Sequence, residues 1–287
     1  MKNIWISEFF PSGRDARGDF IWAYNIYMKI EEVKKYTEIS GKLIKAQVFY
    51  QSSAEAIASA NAIVKNKLRN AEFLLTDYIH SRKRYGYEFE SLLQTQKQLL
   101  TARKNISDGA SIKKLFIAEA HAARVYWGSF KILCKLQSSW CRTYPHAPDP
   151  ANQLLNIGYT FLGRACLGAV TKTGLMPQIG IYHGNNSGKS LAYDLMEAFR
   201  IPCVDSIVIS FFSRNSKTEI KKDSQKFKKI IYALSAIYEK KFLYKNNWQT
   251  VQHILEHEAV NIKTAILNQE VYHPYQFHWG HTKRIKT

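Results

Sequence analysis

A histidine followed by two carboxylates is the residue combination with the clearest chemical capacity in this sequence. Within residues 175–205, LMPQIGIYHGNNSGKSLAYDLMEAFRIPCVD, His183 precedes Asp194 and Glu197. Imidazole and carboxylate groups bind divalent cations, and a cation held with open positions polarises whatever oxygen it meets. Pro177, Gly180, Gly184, Asn185, Asn186 and Gly188 bend the chain for separate backbone reasons, which sets His183 in a tight turn. A helix is then expected from near Ser187 to Pro202. On it Leu191, Leu195 and Phe199 share an apolar face, while Asp194 and Glu197, three apart, share a neighbouring face within reach of His183. The competing reading is a capped surface helix with a histidine in the turn before it.

Glu119 is a further acid of interest. It stands among Ala118, Ala120, Ala122 and Ala123, small side chains that let neighbouring elements approach and crowd the carboxylate. On its own it reads as an ordinary solvated helix acid, and it gains weight only in combination with His183 and Glu197. Residues 184–190, GNNSGKS, look like a phosphate-binding loop but place three residues where four are needed to curl N–H groups around a phosphate. Without a convincing preceding apolar strand either, nucleotide hydrolysis is set aside.

The elements that position these residues are mostly helical. Residues 41–84 carry Ile57, Ala60, Ile63, Val64, Leu68, Ala71, Leu74 and Leu75 at spacings of three and four, predicting a long amphipathic helix with Lys65, Lys67 and Arg69 on a basic face. Helices are expected over 89–103, 111–136, 225–242 and 247–268. Asp149-Pro150 marks a clean helix start, an N-cap acid followed by proline, for an apolar helix running to Gly174 at the centre of the domain. Before residue 40, the short runs Ile4, Trp5, Ile6 and Phe20, Ile21, Trp22 suggest strands. The expected architecture is mostly α: a short, truncated β segment over residues 1–40 and an α-helical catalytic domain over 41–287.

Composition bounds the partners. With 287 residues and 46% apolar side chains the chain can bury a substantial core. Forty-one Lys and Arg against 23 Asp and Glu give a formal charge of +18 spread along the chain, so a polyanion is the expected partner. No apolar run approaches the length of a membrane span and no leader segment opens the chain, which reads as soluble, intracellular and cytoplasmic. Cys134, Cys141, Cys166 and Cys203 form no C-x-x-C pair and read as reduced core residues. Trp127, Trp140, Arg124 and Arg142 could stack on or grip nucleic acid, although tryptophans more often belong to the core.

Three blocks together resemble the CRISPR adaptation integrase family called Cas-one. They are IAEAHAARVYWGSF around Glu119, DPANQLLNIGYTFLGR around Asn156, Gly158 and Tyr159, and GIYHGNNSGKSLAYDLMEAFRIPCVD around His183. KNKLRNAEFLL around Lys67 and Asn70 is a weaker fourth. The resemblance implies an integrase that joins 3′-OH ends of short DNA fragments to a CRISPR repeat by divalent-metal-dependent transesterification, with Mg²⁺ or Mn²⁺ as cofactor and endonuclease activity beside it. The family's metal ligands map onto Glu119, His183 and Glu197. Glu197 is preferred to Asp194 because it lies nearer the helix end, has the longer side chain and matches the family's ligand position; Asp194 then orients a ligand or stabilises the helix start.

Lys67, Arg69, Arg124, Arg142, Arg164, Lys189 and Arg200 are the expected DNA contacts, since cations must hold two DNA molecules whose phosphates repel. A homodimer or higher homo-oligomer is expected, its interface built on residues 1–40, and a Cas-two partner is admitted. The family's longer β-rich opening domain is not matched by those first 40 residues. The rival readings are a transposon-type integrase or structure-specific nuclease with the same triad, and a non-catalytic helical DNA-binding scaffold.

Overall fold

Ser53, Ser111, Asp149, Ser224 and Thr250 each sit in extended backbone and accept an N–H from the first turn of the helix that follows. Each such cap contributes about 1 kcal/mol and fixes where a helix begins. The computed structural model describes residues 40–184, 187–214 and 224–277, to which all structural statements refer. The strands expected in residues 1–40, Asn185 and Asn186 of the histidine turn, and the C-terminal KRIKT lie outside the described residues.

The helices in chain order are α1 (Gly41–Gln51), α2 (Ala54–Arg84), α3 (Glu90–Lys104), α4 (Ile112–Leu133), α5 (Pro150–Lys172), α6 (Ser190–Glu197), α7 (Ser206–Arg214), α8 (Gln225–Ala236) and α9 (Val251–Asn268). A two-stranded antiparallel hairpin, β1 (Lys241–Tyr244) and β2 (Asn247–Thr250), precedes α9. The mostly α class is as expected. Helix α5 is the buried centre: Leu154, Leu155, Leu162 and Cys166 have no exposed surface. Burying one such leucine stabilises the fold by about 1.5–3 kcal/mol. Gly158 is the close-approach point of that helix, for a Cβ there would lie 2.5 Å from Cγ1 of Val204. Among the described residues no helix is long and apolar enough to cross a membrane.

Several elements differ from expectation. The helix expected over 41–84 is two, because Ser53 turns extended (φ −85°, ψ 163°) and caps α2. Pro202 does not end the α6 region. It sits in the first turn of a π-helical segment, Ile201–Asp205, the Ala198 carbonyl four residues before it accepts from the Asn70 amide (3.0 Å), and the chain continues into α7. The helices expected over 225–242 and 247–268 give up Lys241, Phe242 and residues 247–250 to the hairpin, whose turn residues Lys245 and Asn246 both adopt positive φ. Cys134, Cys166 and Cys203 are buried thiols as expected, but Cys141 is exposed, in the stretch between α4 and α5. The continuous basic face expected on α2 is not present. Lys65 and Arg69 flank one side, Lys65 pairing with Asp108 at 2.6 Å, whereas Lys67 turns inward.

Candidate active site

The loop that carries His183 is fixed from both ends of the sequence around it. From α1, Gln47 donates to the Met176 carbonyl (3.2 Å) and accepts the Met176 N–H (2.8 Å), and Gln51 donates to the Gly180 carbonyl (2.6 Å). On the other side Gly180 packs so tightly that a Cβ would meet the Gly184 carbonyl, the Ser190 side chain and the Asp194 carboxylate within 2.9 Å. No other residue fits there without moving the loop off α6. Gly184 then turns the chain at φ +60°.

Asp194 is wholly enclosed by this loop. Its carboxylate accepts the backbone N–H groups of Ile181 (2.5 Å), Tyr182 (3.1 Å) and His183 (3.0 Å) and lies 2.6 Å from His183 Nδ1. A carboxylate accepts and does not donate, so Nδ1 carries the proton and the ring is aimed by Asp194. Nε2 stands 3.8 Å from Glu197 Oε1. Burial alone would lower the imidazole pKa, but the hydrogen bond and charge of Asp194 and the charge of Glu197 outweigh it and raise it above its ordinary value.

Glu197, 2% exposed, has a different environment. Lys67 Nζ is 2.7 Å from Oε2 and Arg200 Nη2 is 3.1 Å from Oε1. Burial pushes its carboxyl up, yet Arg200, Lys67 and His183 together hold it well below the usual carboxylate range. Despite the close ammonium, no N–H is aligned on Oε2, which is left as a buried oxygen without a hydrogen bond. Glu119 on α4 completes the group: its Oε1 accepts from Lys67 and its Oε2 from the Tyr182 hydroxyl. Tyr182 in turn stacks on Phe116 at 4.6 Å. Among the described residues, no three His, Cys, Asp or Glu side chains stand close enough together to hold a metal ion without moving, because Lys67 lies between Glu119 and Glu197.

A cavity of about 700 Å³ opens beside these carboxylates. Arg142, Arg164, Lys189 and Arg200 line it, with Trp127, Tyr144 and Tyr159 among its aromatic walls. In its wall Asp205 accepts the hydroxyls of Tyr126 (2.8 Å) and Tyr159 (2.6 Å), and the Arg200 guanidinium lies 5.2 Å from the centre of the Tyr159 ring. Burial raises the Asp205 carboxyl to about 6 against the opposing hydrogen bonds of Tyr159 and Tyr126 and the charge of Arg200.

Of the expected DNA contacts, Arg142, Arg164, Lys189 and Arg200 face this cavity, Arg142 already bonded to Asn152 (3.0 Å) and Asn156 (2.6 Å). Lys67 lines the cavity but is engaged with the carboxylates. Arg69 is elsewhere, lying over Phe73 at 4.5 Å, and Arg124 is exposed on α4 away from the cavity lining. Trp140 packs on Phe130 and donates to Asp149 (3.0 Å), a core role. Tyr182, Gln47 and Gln51 carry no local signal of their roles in the sequence, and neither does the inward turn of Lys67 beyond its spacing.

Comparison with known proteins gives a consistent picture. Residues 30–247 match the family model described as CRISPR associated protein Cas1. A relative from Saccharolobus solfataricus, named CRISPR-associated endonuclease Cas1 1, is 31% identical over 220 residues, covering 75% of this chain and 55% of its own. The chain spans about half the length of the curated relatives it matches. Among solved structures, a chain of a Cas6-RT-Cas1–Cas2 complex superposes with TM-score 0.69 at 22% identity, covering 84% of this chain and 27% of that one. A casposase bound to integration product superposes with TM-score 0.62 at 21% identity, over 88% of this chain and 71% of that one. At such identities the likeness is one of fold.

Proposed function

The chain belongs to the CRISPR associated protein Cas1 family, and on that premise we propose that it is a metal-dependent DNA integrase with accompanying endonuclease capacity. It joins the 3′-OH ends of short DNA fragments to a CRISPR repeat. The observation that carries this reading is the convergence of Glu119, His183 and Glu197, from α4, a loop and α6, around Lys67, with Glu119 and Lys67 lining a cavity that also presents arginine and lysine. The endonuclease name of the Saccharolobus solfataricus relative supports it, as does the fold shared with a casposase bound to integration product.

The residues present fit a divalent cation. Two carboxylates and an imidazole are a donor set suited to Mg²⁺ or Mn²⁺, a cationic group already lies between the carboxylates, and Glu197 Oε2 is a buried oxygen without an aligned donor. Glu119, His183 and Glu197 would hold the ion, which when bound polarises the scissile phosphate and stabilises the attacking and leaving oxygens. Asp194 keeps the His183 ring aimed, and Tyr182 steadies Glu119 through its hydroxyl. Arg142, Arg164, Lys189 and Arg200 neutralise phosphates of the two DNA strands brought together at the cavity.

The same reading takes the runs before residue 40 as a self-association surface for a homodimer or higher oligomer and residues 41–287 as the catalytic domain. It takes a Cas2 protein as a partner, supported by the fold shared with a chain of the Cas6-RT-Cas1–Cas2 complex. Strand transfer of a labelled duplex into a leader-repeat target tests it. Activity should require Mg²⁺ or Mn²⁺ and disappear in Glu119→Ala while DNA affinity remains. DNA binding by the wild type without any metal-dependent strand transfer would favour a non-catalytic scaffold.

A further inference from the structure

We propose that Lys67 is an internal counter-cation of the site: its ammonium and a divalent cation are alternative occupants of the gap between Glu119 and Glu197, so that metal entry swings Lys67 into the adjoining cavity to meet a phosphate. This rests on the integrase reading and adds to it a coupling between metal and DNA.

Lys67 lies on the apolar stripe of α2, at helical spacing from Ile63, Val64, Ala71 and Leu74, and its side chain is only 18% exposed. A lysine on such a stripe carries its charge inward and must be compensated there. The compensation is the pair of carboxylates from two other helices, Glu119 on α4 and Glu197 on α6, both in contact with the one ammonium. The contact to Glu197 Oε2 is an ion pair at 2.7 Å without an aligned N–H. Nζ therefore holds Glu119 through a hydrogen bond and Glu197 through an ion pair, contacts to carboxylate oxygens that another cation can replace.

The charges explain why replacement must be exclusive. Glu119 and Glu197 both meet the Lys67 ammonium, and Glu197 also meets the Arg200 guanidinium, so the gap between the two carboxylates is already filled by positive charge. Adding two positive charges against the same oxygens while the ammonium stays would set like charges side by side in a poorly solvated site. Arg200 cannot yield as readily, since its guanidinium is also held over Tyr159. Lys67 has four flexible methylenes and borders the cavity, which gives it somewhere to go. That cavity already presents Arg142, Arg164 and Lys189, so an ejected ammonium is held better there once a phosphate is present. Metal and DNA then assist each other's binding, and by linkage the factor is the same in both directions.

The test is Mn²⁺ affinity, followed by electron paramagnetic resonance on the full chain, for wild type, Lys67→Met and His183→Ala. Lys67→Met, which keeps length and apolar stem, should bind Mn²⁺ more tightly by about 10-fold, within the usual range of site coupling, and DNA should enhance Mn²⁺ binding less than in wild type. Should Lys67→Met bind Mn²⁺ no more tightly while His183→Ala still weakens it, the counter-cation proposal fails and the metal-site reading stands. Should His183→Ala leave Mn²⁺ binding unchanged, that reading fails and takes this one with it. A second measurement avoids the variant altogether: acetylation of Lys67 in the wild-type protein, read by mass spectrometry, should accelerate several-fold on adding Mn²⁺. An unchanged rate overturns the proposal.

Discussion

Glu197 and Glu258 are equally buried, each 2% exposed on a helix, yet their surroundings are opposite in kind. Glu258 on α9 accepts the hydroxyls of Tyr244 (3.1 Å) and Tyr272 (2.7 Å), the Tyr275 N–H (2.9 Å) and the Asn261 amide (2.8 Å). Each of these donors is neutral and belongs to the hairpin, to α9 or to the segment after α9, so the carboxylate pins the C-terminal stretch to the core. Glu197 is surrounded by Lys67, Arg200 and His183, and one of its oxygens has no aligned donor. Dipoles built into the fold satisfy a charge permanently, whereas mobile charges satisfy it replaceably. The first arrangement serves folding and the second can serve chemistry.

Swapping readouts between these two acids is the strongest way to break the contrast. Glu197→Ala should lower metal-dependent strand transfer by about 10³-fold or more, the several kcal/mol expected of a group that positions a catalytic cation. Retention of even a tenth of the activity would remove Glu197 from the chemistry. Glu258→Leu should instead cost about 4 kcal/mol of stability in urea unfolding, because two hydroxyls, a backbone N–H and the Asn261 amide lose an acceptor at about 1–3 kcal/mol each, not fully additive. Activity per folded molecule should be unchanged. A loss of activity in the folded Glu258 variant would dissolve the distinction.

Asp205 is intermediate between the two, accepting from two neutral tyrosines yet with Arg200 nearby. Its folded pKa of about 6 lies above the unfolded value of about 3.9. An acid with a raised folded pKa binds more protons folded than unfolded between those values, so stability falls as pH rises from about 4 to 6 and the full cost persists above. Two units correspond to at most about 3 kcal/mol. Asp205→Asn, which keeps an acceptor for the tyrosines, should match wild type in chemical denaturation at pH 4 and exceed it at pH 7. Equal stability at both values would mean that Asp205 is as well compensated as Glu258.

About half of the contrast is legible in the sequence. The turn residues around His183 and the i, i+3 spacing of Asp194 and Glu197 are local signals, and the structure places all three side chains together. The block around Gly158 and Tyr159 is visible as a pattern, but its reason, a contact with Val204 nearly fifty residues on, is tertiary. Lys67 reads as part of a solvent-facing basic surface because Lys65 and Arg69 flank it. Its spacing from Ile63, Val64, Ala71 and Leu74 is the available sign that it points inward. The hairpin reads as helix because four-residue strands are too short to show a period, and its turn uses a lysine at positive φ, which few rules anticipate.

The smallest expected effect separates holding a cation from aiming a ligand. Three backbone N–H groups and the His183 ring occupy the oxygens of Asp194, where Glu197 meets a lysine and an arginine. In this respect Asp194 resembles Glu258 more than Glu197, although it lies within the site. Asp194→Ala should therefore loosen the loop and the imidazole without deleting a ligand, lowering metal affinity and strand transfer by about 10- to 100-fold. Because that deficit is one of occupancy, raising Mn²⁺ should restore most of the rate in Asp194→Ala, and the restored maximal rate should approach that of wild type. Glu197→Ala should stay inactive at any Mn²⁺ concentration. The reverse pattern, rescue of Glu197→Ala with Asp194→Ala inactive, would make Asp194 the ligand and Glu197 a residue that merely balances Lys67 and Arg200.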